Sequence, residues 1–173
     1  VITMVTLGNG ASRAVTDQIS SLGSNLLMVQ PGRRMGPGGG GAPAFKSADV
    51  EALAAQIPGI EFISGVRNVS ATVVYQAQNW STGVVGVQNG YFSARKLVLA
   101  SGRAFNEAEE RAGRPVCVVG ETVRRELFGA ANPVGSRLRA KTFACDVIGL
   151  LKASGQASMG ADQDDVVIMP LRT

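Results

Sequence analysis

The residue types able to do chemistry in this chain are few. Histidine is absent from its 173 residues, cysteine occurs only at Cys117 and Cys145, and the tightest carboxylate cluster is Asp162, Asp164 and Asp165. Without histidine, no Ser-His-Asp or Cys-His nucleophile and base can be assembled. The two cysteines have no further Cys or His at metal-ligand spacing, which excludes a zinc site. Each lies in an apolar strand pattern, where cysteine behaves as a small buried hydrophobe, so free thiols are expected. A bridge requires the two strands to be neighbours in an oxidising compartment. The aspartate cluster lacks the Gly and closing Glu of a calcium loop and reads as an exposed acidic loop entering a strand. Ser158, in SGQASMG, lacks the G-x-S-x-G spacing of a nucleophile elbow and is a loop serine. The basic pairs Arg33-Arg34, Arg95-Lys96 and Arg124-Arg125 read as solvated surface charge. No catalytic, cofactor-binding or metal-binding residue is assigned, no cofactor is called for, and the chain is read as not an enzyme.

Apolar residues make up 45% of the sequence and charged ones 17%, the balance of a chain with a packed interior. The net charge is +4, and Arg95 to Lys152 carries the excess, eleven Lys or Arg against six Asp or Glu. That excess is small beside a dedicated DNA binder, and Trp80, Tyr75 and Tyr91 are too sparse to form a base-stacking platform, so nucleic acid is excluded as a partner. No apolar run reaches the roughly 20 residues that span a bilayer. The opening VITMVTL is apolar yet lacks the basic region and cleavage site of a signal peptide.

Met4, Ala11, Val15, Ile19 and Leu22 recur at helical spacing ahead of Gly23, which predicts a helix over residues 1–22. Leu26 to Gln30 reads as a short strand. Residues 31–43, PGRRMGPGGGGAP, form a flexible loop without the Lys and Ser or Thr of a phosphate-binding loop. Ser47 is placed as the cap of a second helix with Val50, Leu53 and Ile57 on one face, ended by Pro58-Gly59. A long hairpin follows, Ile60 to Gln78 and Thr82 to Gln88, turning at 78–81, and a strand pair of this length is expected to protrude. Asn68-Val-Ser and Asn79-Trp-Ser match the glycosylation acceptor pattern, which matters only in a eukaryotic secretory pathway. Asn89 is placed as the cap of a short helical turn, a Gly102-Arg103 turn follows, and Asn106 to Arg114 is read as an exposed loop. Beyond them come a strand at 116–119, a helix over 121–128, a turn at 132–135, a tight hairpin of strands 137–141 and 143–151, a loop, and a continuous buried strand at 166–169.

Taken in order, VTLGNGA, SLGSNLLMVQPG, NGYF, LASGRAF, PVCVVGETVRRELFG, NPVG, FACDVIGLL and DQDDVVIMPL resemble the extracytoplasmic core domain of MacB-type ABC transporter permeases. The resemblance runs nearly end to end. It implies an α+β (mixed α/β) fold in which a porter-like βαβ subdomain carries an inserted β-rich subdomain. Residues 1–68, with a stalk helix at 1–22, and the return strand at 165–173 are expected to form the first, and residues 69–164 the second. It also implies that Val1 continues a transmembrane helix, and that a further βαβ unit follows the VIMP strand, so that the chain is expected to be truncated after Thr173.

The implied function is a non-catalytic periplasmic module at the inner membrane, working in efflux by transmitting ATP-driven motion and docking an adaptor. The implied partners are the protein's own transmembrane helices, a second permease copy, a cytoplasmic ATPase and a periplasmic membrane-fusion adaptor. Lipoprotein-release and cell-division permeases share this plan, and a stand-alone extracellular ligand-binding domain is the reading from another class.

Overall fold

The computed structural model describes residues 26–32, 43–154 and 162–173. The helix expected over residues 1–22 and most of the glycine-rich loop lie outside them, as do Ser158 and the Arg33-Arg34 pair.

Seven strands form one sheet in the order β3-β6-β4-β7-β2-β1-β5, and β5 also pairs with β6, so six of them close into a barrel with β3 added on one edge. They are β1 (Val66–Tyr75), β2 (Gln78–Val87), β3 (Leu99–Gly102), β4 (Val116–Val119), β5 (Arg137–Ala140), β6 (Ala144–Leu151) and β7 (Val166–Pro170). The helices are α1 (Ser47–Gln56), α2 (Gly90–Ala94), α3 (Glu107–Arg111) and α4 (Glu121–Phe128). Pairings β2–β7 and β4–β6 are parallel and the others antiparallel. The expected mixed α/β class is what the chain adopts.

Strand alternation divides the core in two. Cys117, Val119, Cys145, Val147, Val167 and Met169 point into the barrel, where Val123 and Leu127 of α4 meet them. Val116, Val118, Leu151 and Ile168 point outward and are covered by Phe92 of α2 and by Phe105, whose rings meet edge to face at 5.1 Å. β4 and nearly all of β7 are therefore buried on both faces. This is why both read in the sequence as unbroken apolar runs rather than alternating ones.

The chain leaves β4 through Gly120, whose N–H donates to the Val166 carbonyl at 2.8 Å, and enters α4 at once. A Cβ at this position would lie 2.1 Å from the Asp164 carbonyl oxygen, so the turn accepts only glycine for reasons of space. That carbonyl in turn accepts the Thr122 N–H at 3.1 Å, satisfying an orphan donor in the first turn of α4.

Several sequence expectations are corrected. The hairpin turns at Gln76-Ala77, since Tyr75 pairs with Gln78, not at 78–81. Gln76 takes the positive φ, 52°, that a two-residue turn of matching twist needs. Behind the turn the hairpin is held by the barrel: Val73 is fully buried, β5 pairs with β1 there, and Tyr75 packs on Phe128 at 4.2 Å. Its exposed parts are the turn, Gln76 to Asn79, and the base, Val66 to Ser70. Leu26 to Gln30 is exposed and irregular, because no described strand pairs with it. Ser47 is the first helical residue rather than the cap. The preceding Lys46 donates its N–H to the Asp49 carboxylate at 2.7 Å. The stretch read as an exposed loop contains α3, capped by Asn106, whose side chain accepts the Glu109 N–H at 2.9 Å. Asn89 occupies the cap position of α2 without a side-chain cap bond.

The largest correction concerns the cysteines. β4 and β6 are neighbours, Cys117 and Cys145 point into the same interior with Cα atoms 5.8 Å apart, and they form a disulfide. Apolar surroundings, the ground for expecting free thiols, do not discriminate between a thiol and a bridge once lateral pairing brings the two together. Their separation of 28 residues corresponds to about 3–4 kcal/mol of stabilisation through the unfolded chain.

Gly120→Ala is expected to cost about 3 kcal/mol or more, because its methyl meets backbone rather than a movable side chain. Denaturant unfolding of the variant checks this.

Candidate functional site

Of the residues singled out for chemistry, the aspartates of the acidic loop are each occupied by hydrogen bonds. Asp162 accepts from the Thr122 hydroxyl at 2.6 Å and from the Asp164 N–H at 2.9 Å. Asp164 is buried and accepts the Ser154 N–H at 2.8 Å, while Asp165 accepts the Trp80 indole N–H at 2.9 Å. The acidic loop is thus a set of staples tying the approach to β7 onto α4, β2 and the end of β6. The Thr122 hydroxyl, followed by the Asp164 N–H, holds the Asp162 carboxyl below its ordinary value of 3.8. Among the described residues, no group of three or more Cys, Asp or Glu is arranged to hold a metal ion.

The basic pairs divide. Arg124 pairs with Glu121 one turn back and also donates to the Gly129 carbonyl, closing the C-terminus of α4. Arg125 contacts Glu126 at 3.2 Å. Arg95 lies over the Tyr91 ring, 5.9 Å from its centroid. Nothing in this arrangement supplies a nucleophile, a general base or a poised electrophile.

A second locus, not found from the sequence, lies where β1 begins and β2 and β7 end. Ser64 and Gly65 cross Gln88 there. The Gln88 N–H donates to the Ser64 Oγ at 3.1 Å, and the Gly65 N–H donates to the Gln88 Oε1 at 2.8 Å. A Cβ on Gly90 would lie 2.7 Å from the Ile63 carbonyl oxygen, so this crossing too is made at glycine distance. A Cβ on Gly65 would stand 3.2 Å from Leu171 and 3.6 Å from Val50 of α1, so α1 approaches the barrel through this point. The exits are tied as well: Asn89 N–H donates to the Glu110 carboxylate at 2.7 Å, Leu171 N–H to the Val87 carbonyl at 2.9 Å, and the Thr173 hydroxyl to the Arg114 carbonyl at 3.1 Å. We call this crossing the neck. The only sequence signal for it is the polar Gln88-Asn89-Gly90 that follows an apolar strand.

On the barrel side of the neck most large apolar residues are covered, with Val66, Val69, Val74 and Val98 the exposed ones. On the α1 side they are not: α1 buries none of its residues, and Leu53, Ile57, Ile60 and Phe62 are all exposed. The apolar face of Val50, Leu53 and Ile57 is present as expected but is largely uncovered by the described residues. Among those residues, no helix is long and apolar enough to cross a membrane.

Comparison with known proteins places this geometry. A family model described as the MacB-like periplasmic core domain matches residues 1–173. The macrolide export ATP-binding/permease protein MacB of Chlorobium phaeobacteroides is 37% identical over 177 residues, covering 100% of this chain and 27% of that protein. MacB of Bdellovibrio bacteriovorus is 36% identical, with 100% and 27% covered. The chain therefore spans about a quarter of the length of the curated relatives it matches. Among solved structures, the periplasmic region of MacB from Actinobacillus actinomycetemcomitans superposes with a TM-score of 0.70 at 20% identity, covering 90% of this chain and 69% of that one. The extracellular domain of the noncanonic ABC-type transporter YknZ from Gram-positive bacteria superposes at 0.64 and 22% identity, with 73% and 63% covered. Both likenesses bear on the fold.

The ion pairs of this end of the molecule give a pH dependence. Glu109 takes a two-pronged pair with Arg103 at 2.7 and 2.8 Å and also accepts the Asn106 N–H at 2.9 Å. The Arg103 hydrogen bonds, then that N–H, lower its carboxyl from 4.5 to about 2. A depressed carboxylate stabilises the fold above its unfolded-state value and loses that contribution as the pH falls through its folded value. Unfolding free energy should therefore be level at neutral pH and decline between its ordinary 4.5 and about 2. Glu109→Gln should flatten part of that decline, as read by denaturant titration at neutral and acidic pH.

Proposed function

Because the chain belongs to the family of MacB-like periplasmic core domains, we propose that it is a non-catalytic mechanical module. In this reading it carries ATP-driven motion of an ABC transporter permease from the inner membrane to its periplasmic partners. The coarser statement, that it is the periplasmic core domain of a MacB-like permease, follows from the family match over all 173 residues. The finer one rests on the neck, where the residues leading from α1 are tied to a covalently bridged barrel by short hydrogen bonds at glycine distance. A segment tied to a bridged barrel in this way passes on displacement as a rigid-body shift.

A division of labour accompanies this reading. Residues 1–68 and 165–173 act as the membrane-proximal porter-like part, and residues 69–164 as the β-rich part that faces an adaptor or the second permease copy. β1 and β7 then belong to both, which suits strands that must convey motion. The disulfide supports placement on the periplasmic side, since structural bridges persist in oxidising compartments. The capture of every described aspartate of the 162–165 loop by a hydrogen bond favours a mechanical role over a chemical one. MacB relatives are named as macrolide exporters, so a macrolide is the first cargo to try.

The purified domain is expected to show no ATP hydrolysis. In membranes of cells expressing the full permease and its neighbours, cross-linking from exposed residues of 69–164 should capture a membrane-fusion adaptor or a second permease. ATPase activity of the domain, or failure to capture either partner, contradicts the reading.

A further inference from the structure

The Cys117–Cys145 bridge lies where no thiol or disulfide reagent can reach it. Both residues are fully buried. They belong to an apolar interior cluster with Val73, Val119, Leu127, Leu138, Val147 and Met169. Disulfide exchange requires a thiolate to approach a sulfur, and an apolar interior both blocks that approach and disfavours the thiolate itself. The finished barrel is therefore a poor place either to make this bond or to break it.

The unfolded chain has no such barrier. The cysteines are 28 residues apart, a short loop for a flexible chain to close, and both precede β7. β7 inserts between β2 and β4 and covers β4 on its other edge. A bridge made early would hold β4 beside β6 in a parallel pairing that no hairpin turn can set up, because it spans α4 and β5.

We propose that the Cys117–Cys145 bridge is installed on the unfolded chain by a disulfide-bearing oxidant, before β7 completes the sheet, and that the folded barrel then seals it from further exchange. One cysteine thiolate attacks a sulfur of the oxidant, forming a mixed disulfide and releasing one oxidant thiolate. The second cysteine thiolate attacks the chain's sulfur and releases the other. The chain loses two protons and two electrons, and the oxidant's disulfide becomes two thiols. The permease thus takes a thiol-oxidising partner as a transient substrate of its own maturation. This inference stands whether or not the folded domain transmits motion.

The test treats the intact protein with dithiothreitol and a maleimide, with and without denaturant, and reads labelling at Cys117 and Cys145 by peptide mass spectrometry. Reduction without denaturant is expected to be slower by roughly a hundredfold or more, since it must await global opening. The converse measurement gives oxidised glutathione to the reduced chain. If that chain folds, its oxidation should be slowed similarly; if it does not fold, it should oxidise at the denatured rate and gain its fold as the bridge forms. Reduction of the native bridge at the denatured rate, or oxidation of a folded reduced chain as fast as of an unfolded one, overturns the proposal.

Discussion

Double-sided burial of β4 and β7 is the constraint on which the rest of the structure depends. Strands buried on both faces need covering layers on both, and here these are the closed interior plugged by α4 and an outer layer built from α2 and Phe105. Closure follows from the same demand. β5 is only four residues long, yet by pairing with β1 on one edge and β6 on the other it removes two open edges and encloses the apolar lining. The disulfide, the glycine-only turn at Gly120 and the aspartate staples all serve this enclosure by fixing where β4, β6 and β7 begin and end.

The legible parts of the fold are those whose signal is local. Val116 to Val119, Gly120 and the helix from Glu121 to Phe128 read directly, because an unbroken apolar run, a glycine and an amphipathic segment each carry their own pattern. α3 was legible in principle, since Asn106 and Glu109 form a capping box, but no apolar run follows and the charges mask it. The hairpin turn was misplaced because Gln76 takes a positive φ that glycine or asparagine usually announces, while Asn79 offers a false turn signal inside β2. The neck was not legible, and the disulfide only as an alternative conditional on β4 and β6 being neighbours. Both come from lateral juxtaposition, of β4 with β6 and of Ser64-Gly65 with Gln88, which no local pattern encodes.

For function, the chemistry that is missing matters as much as the packing that is present. The chain has no histidine, and the aspartates of its acidic loop are taken up in hydrogen bonds that hold its own backbone. What it has is a cross-linked, double-layered body and a narrow attachment. Around α1, on the other side of that attachment, Leu53, Ile57, Ile60 and Phe62 are exposed.

The central claim is that the neck couples the segment around α1 rigidly to the barrel, and Gln88 tests it most directly in the full-length permease. ATP hydrolysis by the purified transporter and macrolide tolerance of cells carrying it would be measured for Gln88→Ala and for a Ser64→Cys/Gln88→Cys pair after oxidation. Rigid coupling predicts that Gln88→Ala keeps ATP hydrolysis but loses tolerance, while the cross-linked pair keeps both. Full tolerance with Gln88→Ala, or its loss when the neck is cross-linked, would contradict the account.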